Sequence, residues 1–374
     1  MNAYYTLGRS GLRVSPLALG TMTFGTEWGW GTDKATARQL FDTYLAAGGN
    51  LFDTADAYTG GTSETWLGEF VRDAGARDKA VIATKFSYNA QPGNPNAGGN
   101  GRKNIIRAVE GSLKRLGTDY IDLYLLHTWD QITPPEEVLR AFDDLVTAGK
   151  IRYAGLSDVP AWYAARMQTL AEAHGRERMI AMQMEYSLVE RSIEDEFVPL
   201  GQALGMGVMV WSPLASGLLS GKYKPSEDGS NQGRLDAMRN TDNPAFAKFT
   251  ERNWNIVAEL EAVASEVGRS MAQVAVHWAA TQPGIGSVIV GATKLHQLED
   301  NLGALDLELT PEQRARLDAA SAPAKRFPYT FFGPEIQSGL TGGVTVGSEP
   351  VGYRRPVVVE GRAFGVGAED EDAS

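Results

Sequence analysis

A chain of 374 residues, 43% apolar and 22% charged, has the composition of a globular protein with a large core. Its 35 basic and 46 acidic side chains leave a net charge of −11, which argues against nucleic acid and anionic membrane as main partners while leaving room for a local basic pocket. The absence of cysteine rules out disulfides, thiolate metal sites and a cysteine nucleophile, and with no signal-peptide pattern and no apolar run near 18 residues the expectation is a soluble cytoplasmic protein.

Taken in order, Tyr4–Leu7 and Leu12–Val14 are short extended runs around Gly8-Arg9-Ser10-Gly11, the pattern of a hairpin. Pro16–Leu19 reads as a first buried strand, followed by a loop over Thr21–Thr32. Asp33 suits the N-cap of a helix running to Ala47, with apolar positions at Ala37, Leu40, Phe41, Tyr44 and Leu45. Leu51–Asp53 is a strand, and a helix starts near Ser63-Glu64 and runs to about Arg72. The alternation then repeats. Strands are expected at Ala80–Lys85, Ile121–His127, Ile151–Ser157, Met179–Met184, Gly207–Ser212 and Ser287–Val290. The intervening helices are expected at Arg102–Leu116, Pro134–Ala148, Ala161–His174, Asp195–Leu204, Phe249–Val267, Met271–Thr281 and Lys294–Leu302, with Thr310-Pro311-Glu312 opening another.

Eight short, continuously apolar strands, each followed by helix, point to a (β/α)8 TIM barrel rather than an open doubly wound sheet. No Gly-x-Gly-x-x-Gly follows the first strand, which counts against a Rossmann domain. The hairpin is expected to close the bottom of the barrel, which takes up residues 1–322. Residues 323–374 form a C-terminal extension: the aromatic run Phe327–Phe332 is expected to pack on the barrel and the acidic end, Glu369–Asp372, to be disordered. The loops Phe86–Gly101 and Leu214–Lys248 both follow strands, on the face where long loops usually carry function.

Ionisable residues at the C-terminal ends of adjacent barrel strands converge on one pocket. Asp53, Lys85 and His127 end the second, third and fourth strands, and Tyr58 lies just past the second. Singly, each suits a structural ion pair or a satisfied core group; together they suit carbonyl reduction. A developing alkoxide needs a proton, and a phenol with an ordinary pKa near 10 is a weak acid unless its anion is stabilised. A lysine ammonium beside it supplies that stabilisation, a carboxylate makes the buried ammonium tolerable, and a neutral imidazole orients the carbonyl oxygen. His174, His277 and His296 fall within expected helices and read as structural. No His-x-His pair or carboxylate–histidine cluster supports a metal site.

Asp53, Tyr58, Lys85 and His127 resemble the catalytic tetrad of the aldo-keto reductases in order and spacing. The surrounding text is similar too: Phe52-Asp53-Thr54-Ala55-Asp56-Ala57-Tyr58, Ala83-Thr84-Lys85, and Leu116-Gly117-Thr118-Asp119-Tyr120-Ile121-Asp122-Leu123-Tyr124-Leu125-Leu126-His127. The resemblance covers roughly Tyr4 to Ala320 and implies NADPH-dependent, reversible reduction of an aldehyde or ketone. Tyr58 would be the general acid, Lys85 and Asp53 its tuning pair, and His127 the carbonyl orienter. The implied cofactor site contains Thr21, Met22 and Asp53; Ser157, Asp158 and Gln183 at the carboxamide; and Trp211 stacked on the nicotinamide. Ser212, Pro213, Leu214, Gly217, Leu218 and Lys222 would wrap the pyrophosphate, with Arg234 near a phosphate. Gly291, Thr293, Lys294, Gln297 and Asn301 would hold the adenosine end. Free N–H groups and a cation at the Thr293-Lys294 helix start suit a 2′-phosphate, favouring NADPH over NADH. The sequence departs from the family twice. Asp158 stands where Asn is usual, replacing a donor and acceptor with an acceptor-only carboxylate, and Trp211 stands where Tyr is commoner.

Trp28, Trp30, Phe86, Tyr88 and Trp129 are expected on loops leaving the relevant strand ends and are candidates for the aromatic mouth of a pocket for a medium-sized aldehyde or ketone. The resemblance also implies an alternative, a cofactor-binding regulatory subunit like the potassium-channel β subunits. Substrate identity and oligomeric state are not legible in the sequence.

Overall fold

A computed structural model of the protein describes residues 1, 3–225, 235 and 246–344. Eight parallel strands close into a barrel: β3 (Leu17–Gly20), β4 (Leu51–Asp53), β5 (Val81–Phe86), β6 (Ile121–Leu126), β7 (Ile151–Ser157), β8 (Met179–Glu185), β9 (Gly207–Trp211) and β10 (Ile285–Val290), which pairs back onto β3. The barrel is the one the strand–helix alternation predicts.

Alternation along each strand separates two cores. Ala18, Leu51, Val81, Ala83, Leu123, Leu125, Ala181 and Met209 fill the barrel interior. Their neighbours Leu19, Phe52, Ile82, Tyr124, Leu126, Met182 and Val208 face the helices. The outer layer is α1 (Lys34–Ala46), α2 (Thr62–Asp73), α3 (Arg102–Leu116), α4 (Pro135–Thr147), α5 (Ala161–Ala173), α6 (Phe197–Leu204), α7 (Glu251–Val267), α8 (Met271–Ala280), α9 (Leu295–Leu302) and α10 (Pro311–Ser321). Several start where the caps were expected: Asp33 accepts from Thr36 N at 2.8 Å and Thr310 from Gln313 N at 3.3 Å. The helix expected from Asp195 instead begins as a 3-10 turn over Ser192–Glu194, with α6 starting at Phe197.

The hairpin β1 (Tyr5–Thr6) and β2 (Arg13–Val14) pairs antiparallel and seals the N-terminal mouth. Leu7 and Val14 join the barrel-interior core. Gly8 adopts a φ of 58°, and a Cβ there would lie 2.4 Å from Ile180 O and 2.6 Å from Gly205 O. The adjacent Arg9 N–H donates to Gly205 O at 2.8 Å. The turn is thus pressed against the starts of β8 and β9.

Beyond α10 the chain touches the barrel through polar groups. Phe327, Phe331 and Phe332 are 81%, 56% and 58% exposed, so the aromatic run does not pack into the barrel's helix layer. Interrupted by Pro328 and Gly333, it has no continuous apolar face. Its rings meet each other instead, Phe327 with Phe331 and Tyr329 with Phe332. Polar contacts tie it down: Tyr329 OH donates to Glu196 Oε1 at 2.8 Å and Lys325 lies 3.5 Å from Asp195. A short helix, α11 (Pro334–Thr341), follows. The acidic end at 369–372 lies outside the described residues. Among the described residues no helix is long and apolar enough to cross a membrane, and no group of three or more metal-binding side chains is arranged around a common point.

The seal gives a direct test. Gly8→Ala introduces both a strained φ and a backbone clash, so it is expected to lower stability in urea by about 1–3 kcal/mol. Gly11→Ala, where a Cβ meets nothing within 4 Å, is expected to stay within about 0.5 kcal/mol.

Candidate active site

The two-residue strand period that puts Leu51 and Ala83 inside the barrel also turns Asp53 and Lys85 inward. His127 follows β6 in the same register as Leu123 and Leu125. At this end of the barrel Lys85, with no exposed surface, donates to Asp53 Oδ1 at 2.6 Å, to Thr54 O at 2.8 Å and to Tyr58 OH at 3.2 Å. Gln183 Nε2 donates to the other carboxylate oxygen of Asp53 at 2.7 Å. The ring of Tyr58 meets that of His127 edge-on, with centroids 5.8 Å apart.

The electrostatics follow from burial and these contacts. Desolvation pushes the Lys85 ammonium toward its neutral form, but Asp53 and Tyr58 more than offset this and its pKa is raised. Burial raises the Tyr58 phenol; Lys85 draws it back and Asp53 raises it again, leaving it above 10.0. The sequence argument expects the lysine to dominate. It does not, because its closest contact is with Asp53 and the phenol is also desolvated. Tyr58 therefore keeps its proton at neutral pH. Burial, with Lys85 nearby, holds His127 well below 6.5 and neutral, and its Nδ1 has no hydrogen-bond partner among the described residues. The site thus joins a loaded proton donor, a cation behind it and an uncharged imidazole beside it, an arrangement that can protonate an oxygen gaining negative charge.

A family model for the aldo/keto reductase family matches residues 16–322, covering the whole barrel and all four residues. The chain belongs to the aldo/keto reductase family. A probable voltage-gated potassium channel subunit beta from Oryza sativa subsp. japonica is 39% identical, over 84% of this chain and 95% of its own length. A norsolorinic acid reductase from Aspergillus flavus is 32% identical over 86% and 81%. An aryl-alcohol dehydrogenase named for NADP(+), from Phanerodontia chrysosporium, is 34% identical over 86% of each chain.

The described candidate cofactor residues lie at or beyond the C-terminal ends of the barrel strands. Thr21 is fixed by its hydroxyl to Asp53 O at 3.0 Å and to Ser63 Oγ at 2.8 Å, with half-buried Met22 next to it. Ser157 ends β7, its buried Oγ without a partner among the described residues. Asp158 follows with φ 44°, its Oδ1 accepting from Trp211 Nε1 at 3.2 Å. From Trp211 the chain runs through Ser212, buried Pro213, Leu214, Gly217 and buried Leu218 to exposed Lys222, with positive φ at Ser212, Ala215, Ser216 and Gly217. Non-glycine residues rarely hold that conformation without a purpose. Arg234 lies outside the described residues. Gly291 opens to free space and Asn301 is buried in α9.

Two expectations are corrected. The N–H groups at Thr293 and Lys294 are not free: Gln297 Oε1 accepts from both, at 3.0 and 3.2 Å. An anion there must displace Gln297 or rely on the lysine side chain. Phe86 is not at the pocket mouth. One residue past Lys85 in the strand period, it turns outward, fully buried, stacked on Tyr124 at 5.1 Å and edge-on to Phe142. Trp28 and Tyr88 do reach the centre, with centroids 6.3 Å from Tyr58 and 4.9 Å from His127. Trp30 packs on Trp28, and Trp129 packs against Trp162 and Tyr163 of α5.

Sequence reasoning missed the support behind the site. Glu64, fully buried, accepts from Thr84 Oγ1 and Arg115 Nε, both at 2.6 Å. Burial, with Glu64 nearby, raises the Asp56 carboxyl to about 7. Acidic residues within an otherwise buried strand–helix connection were the available signal. On the other side, Glu185 at the end of β8 pairs with Lys248 at 2.9 Å.

Removing the charge that holds Lys85 is expected to be costly. Asp53→Asn should destabilise the fold by about 3–5 kcal/mol in urea unfolding, and adding Lys85→Met should recover much of it. Equal losses in the single and double variants would locate the effect elsewhere. Because Lys85 has a raised pKa, the pair's contribution is full below the unfolded value of 10.5 and is lost only as pH rises through the folded one.

Proposed function

We propose that the protein reduces an aldehyde or ketone to the alcohol, reversibly, with NADPH as hydride donor. The observation that carries this is Lys85 bridging Asp53 and the protonated Tyr58 while neutral His127 faces the same phenol. The orphan Ser157 Oγ, buried next to this centre, suits the amide of a nicotinamide. When bound, NADPH supplies the hydride, and the carbonyl carbon gains that hydrogen with both electrons. Tyr58 delivers its phenolic proton to the carbonyl oxygen, so carbonyl and cofactor balance as alcohol and oxidised nicotinamide. Lys85 stabilises the resulting phenolate, and Asp53, held in turn by Gln183, keeps the ammonium charged and in place. His127 orients the oxygen without adding a charge, and Trp28 and Tyr88 form aromatic walls for a medium-sized substrate.

A second reading follows from the relative named as a potassium channel subunit beta: a cofactor-loaded regulatory subunit with negligible turnover. An NADPH-oxidation assay over a panel of aldehydes and ketones separates the two. Tyr58→Phe should lower kcat by roughly 10²–10⁴-fold and leave NADPH affinity unchanged. Wild type that binds NADPH but turns over no faster than the variant would overturn the reductase reading. For cofactor choice, Lys294→Ala should weaken NADPH about tenfold and NADH little, since a charged phosphate contact is involved. Equal wild-type affinities for the two would overturn the NADPH preference.

A further inference from the structure

Among the described residues the charged groups around the tetrad are paired, with one exception. Asp53 is neutralised by Lys85 and Glu185 by Lys248. His127 is neutral, and Tyr58 and Tyr88 both have raised pKa values and keep their protons. Asp158 remains. Among the described residues no lysine or arginine pairs with it, and its one side-chain hydrogen bond comes from the indole N–H of Trp211. Its backbone is held on both sides, with N–H donating to Gln183 O at 3.3 Å and C=O accepting from Trp129 N at 3.3 Å. The Trp211 hydrogen bond directs the carboxylate at the end of β7, beside the orphan Ser157 hydroxyl.

A lone fixed carboxylate gives a cleft a preference for cations. The oxidised nicotinamide ring carries a positive charge and the reduced ring carries none. Resting on the cofactor reading above, we propose that Asp158 makes this site discriminate the redox state of its cofactor, binding the oxidised form more tightly than the reduced form. Trp211 acts in the same direction twice: its N–H fixes the carboxylate, and an indole face attracts a cationic ring more than a neutral one. An amide at position 158 would supply no net charge and hence no such bias.

The preference has a pH dependence of defined sign. Burial raises the Asp158 carboxyl to about 7, with the Trp211 hydrogen bond and Lys85 lowering it and Glu185 raising it. The residue is nonetheless exposed by surface area, and solvent screening reduces that rise. The groups facing it are Trp211 on β9, Glu185 on β8 with its partner Lys248, Lys85 on β5, and the phenols Tyr58 and Tyr88. Protonated Asp158 confers no bias and ionised Asp158 confers all of it, so the preference for the oxidised form grows as pH rises and its binding releases a proton.

Calorimetric titration of NADP+ and NADPH into wild type and Asp158→Asn, from about pH 5.5 to about 8.5, tests this. The 2′-phosphate is common to both forms and cancels in the ratio of their Kd values. In wild type that ratio should move about tenfold toward the oxidised form across the range, as expected for one nearby charge, and in Asp158→Asn it should stay flat. Trp211→Phe, which keeps a ring but loses the N–H, should move the midpoint upward. A flat ratio in wild type, or the same slope in Asp158→Asn, would overturn the inference while leaving the cofactor reading intact. Binding of neither form would overturn both.

Discussion

A lysine ammonium with no exposed surface holds the centre of this protein together, and much of the surrounding structure follows from keeping it charged. Bulk solvent does not reach it, and three protein oxygens surround it: the carboxylate of Asp53, the carbonyl of Thr54 and the phenol of Tyr58. Asp53 in turn needs a donor for its second oxygen and finds it in Gln183, four strands away around the barrel. One buried charge thus links β4, β5 and β8 and fixes the phenol at hydrogen-bond distance. The same desolvation that makes the ammonium demanding also keeps the imidazole neutral and the phenol protonated.

The barrel and the four central residues were legible because both depend on local rules. Short apolar strands and helix caps specify the alternation, and a period of two carries the inward direction of Leu51 and Ala83 to Asp53 and Lys85. The same rule, applied one residue further, would have sent Phe86 outward; treating it as a loop residue hid this. What stayed illegible depends on distant partners. Nothing near Thr84 in sequence points to Glu64, and nothing near Glu185 points to Lys248. The Gln297 side chain that caps α9 also shows how a motif for anion binding can be answered from within its own turn.

Of the two departures from the family pattern, Asp158 and Trp211 turn out to be one feature. The carboxylate accepts from the indole at 3.2 Å, so the residues act as a unit. The larger ring supplies the N–H that a tyrosine ring edge lacks, and the acceptor-only side chain receives it.

The hairpin plugs the barrel floor, so among the described residues the strand ends that carry Asp53 and Lys85 lie on the opposite side, where Trp28 and Tyr88 stand. Two molecules that react at the bottom of such a chamber cannot come from opposite sides. With the floor closed by two short strands, the proposed cofactor and carbonyl would share the approach at the strand ends, and the one seated deeper would have to arrive first and leave last.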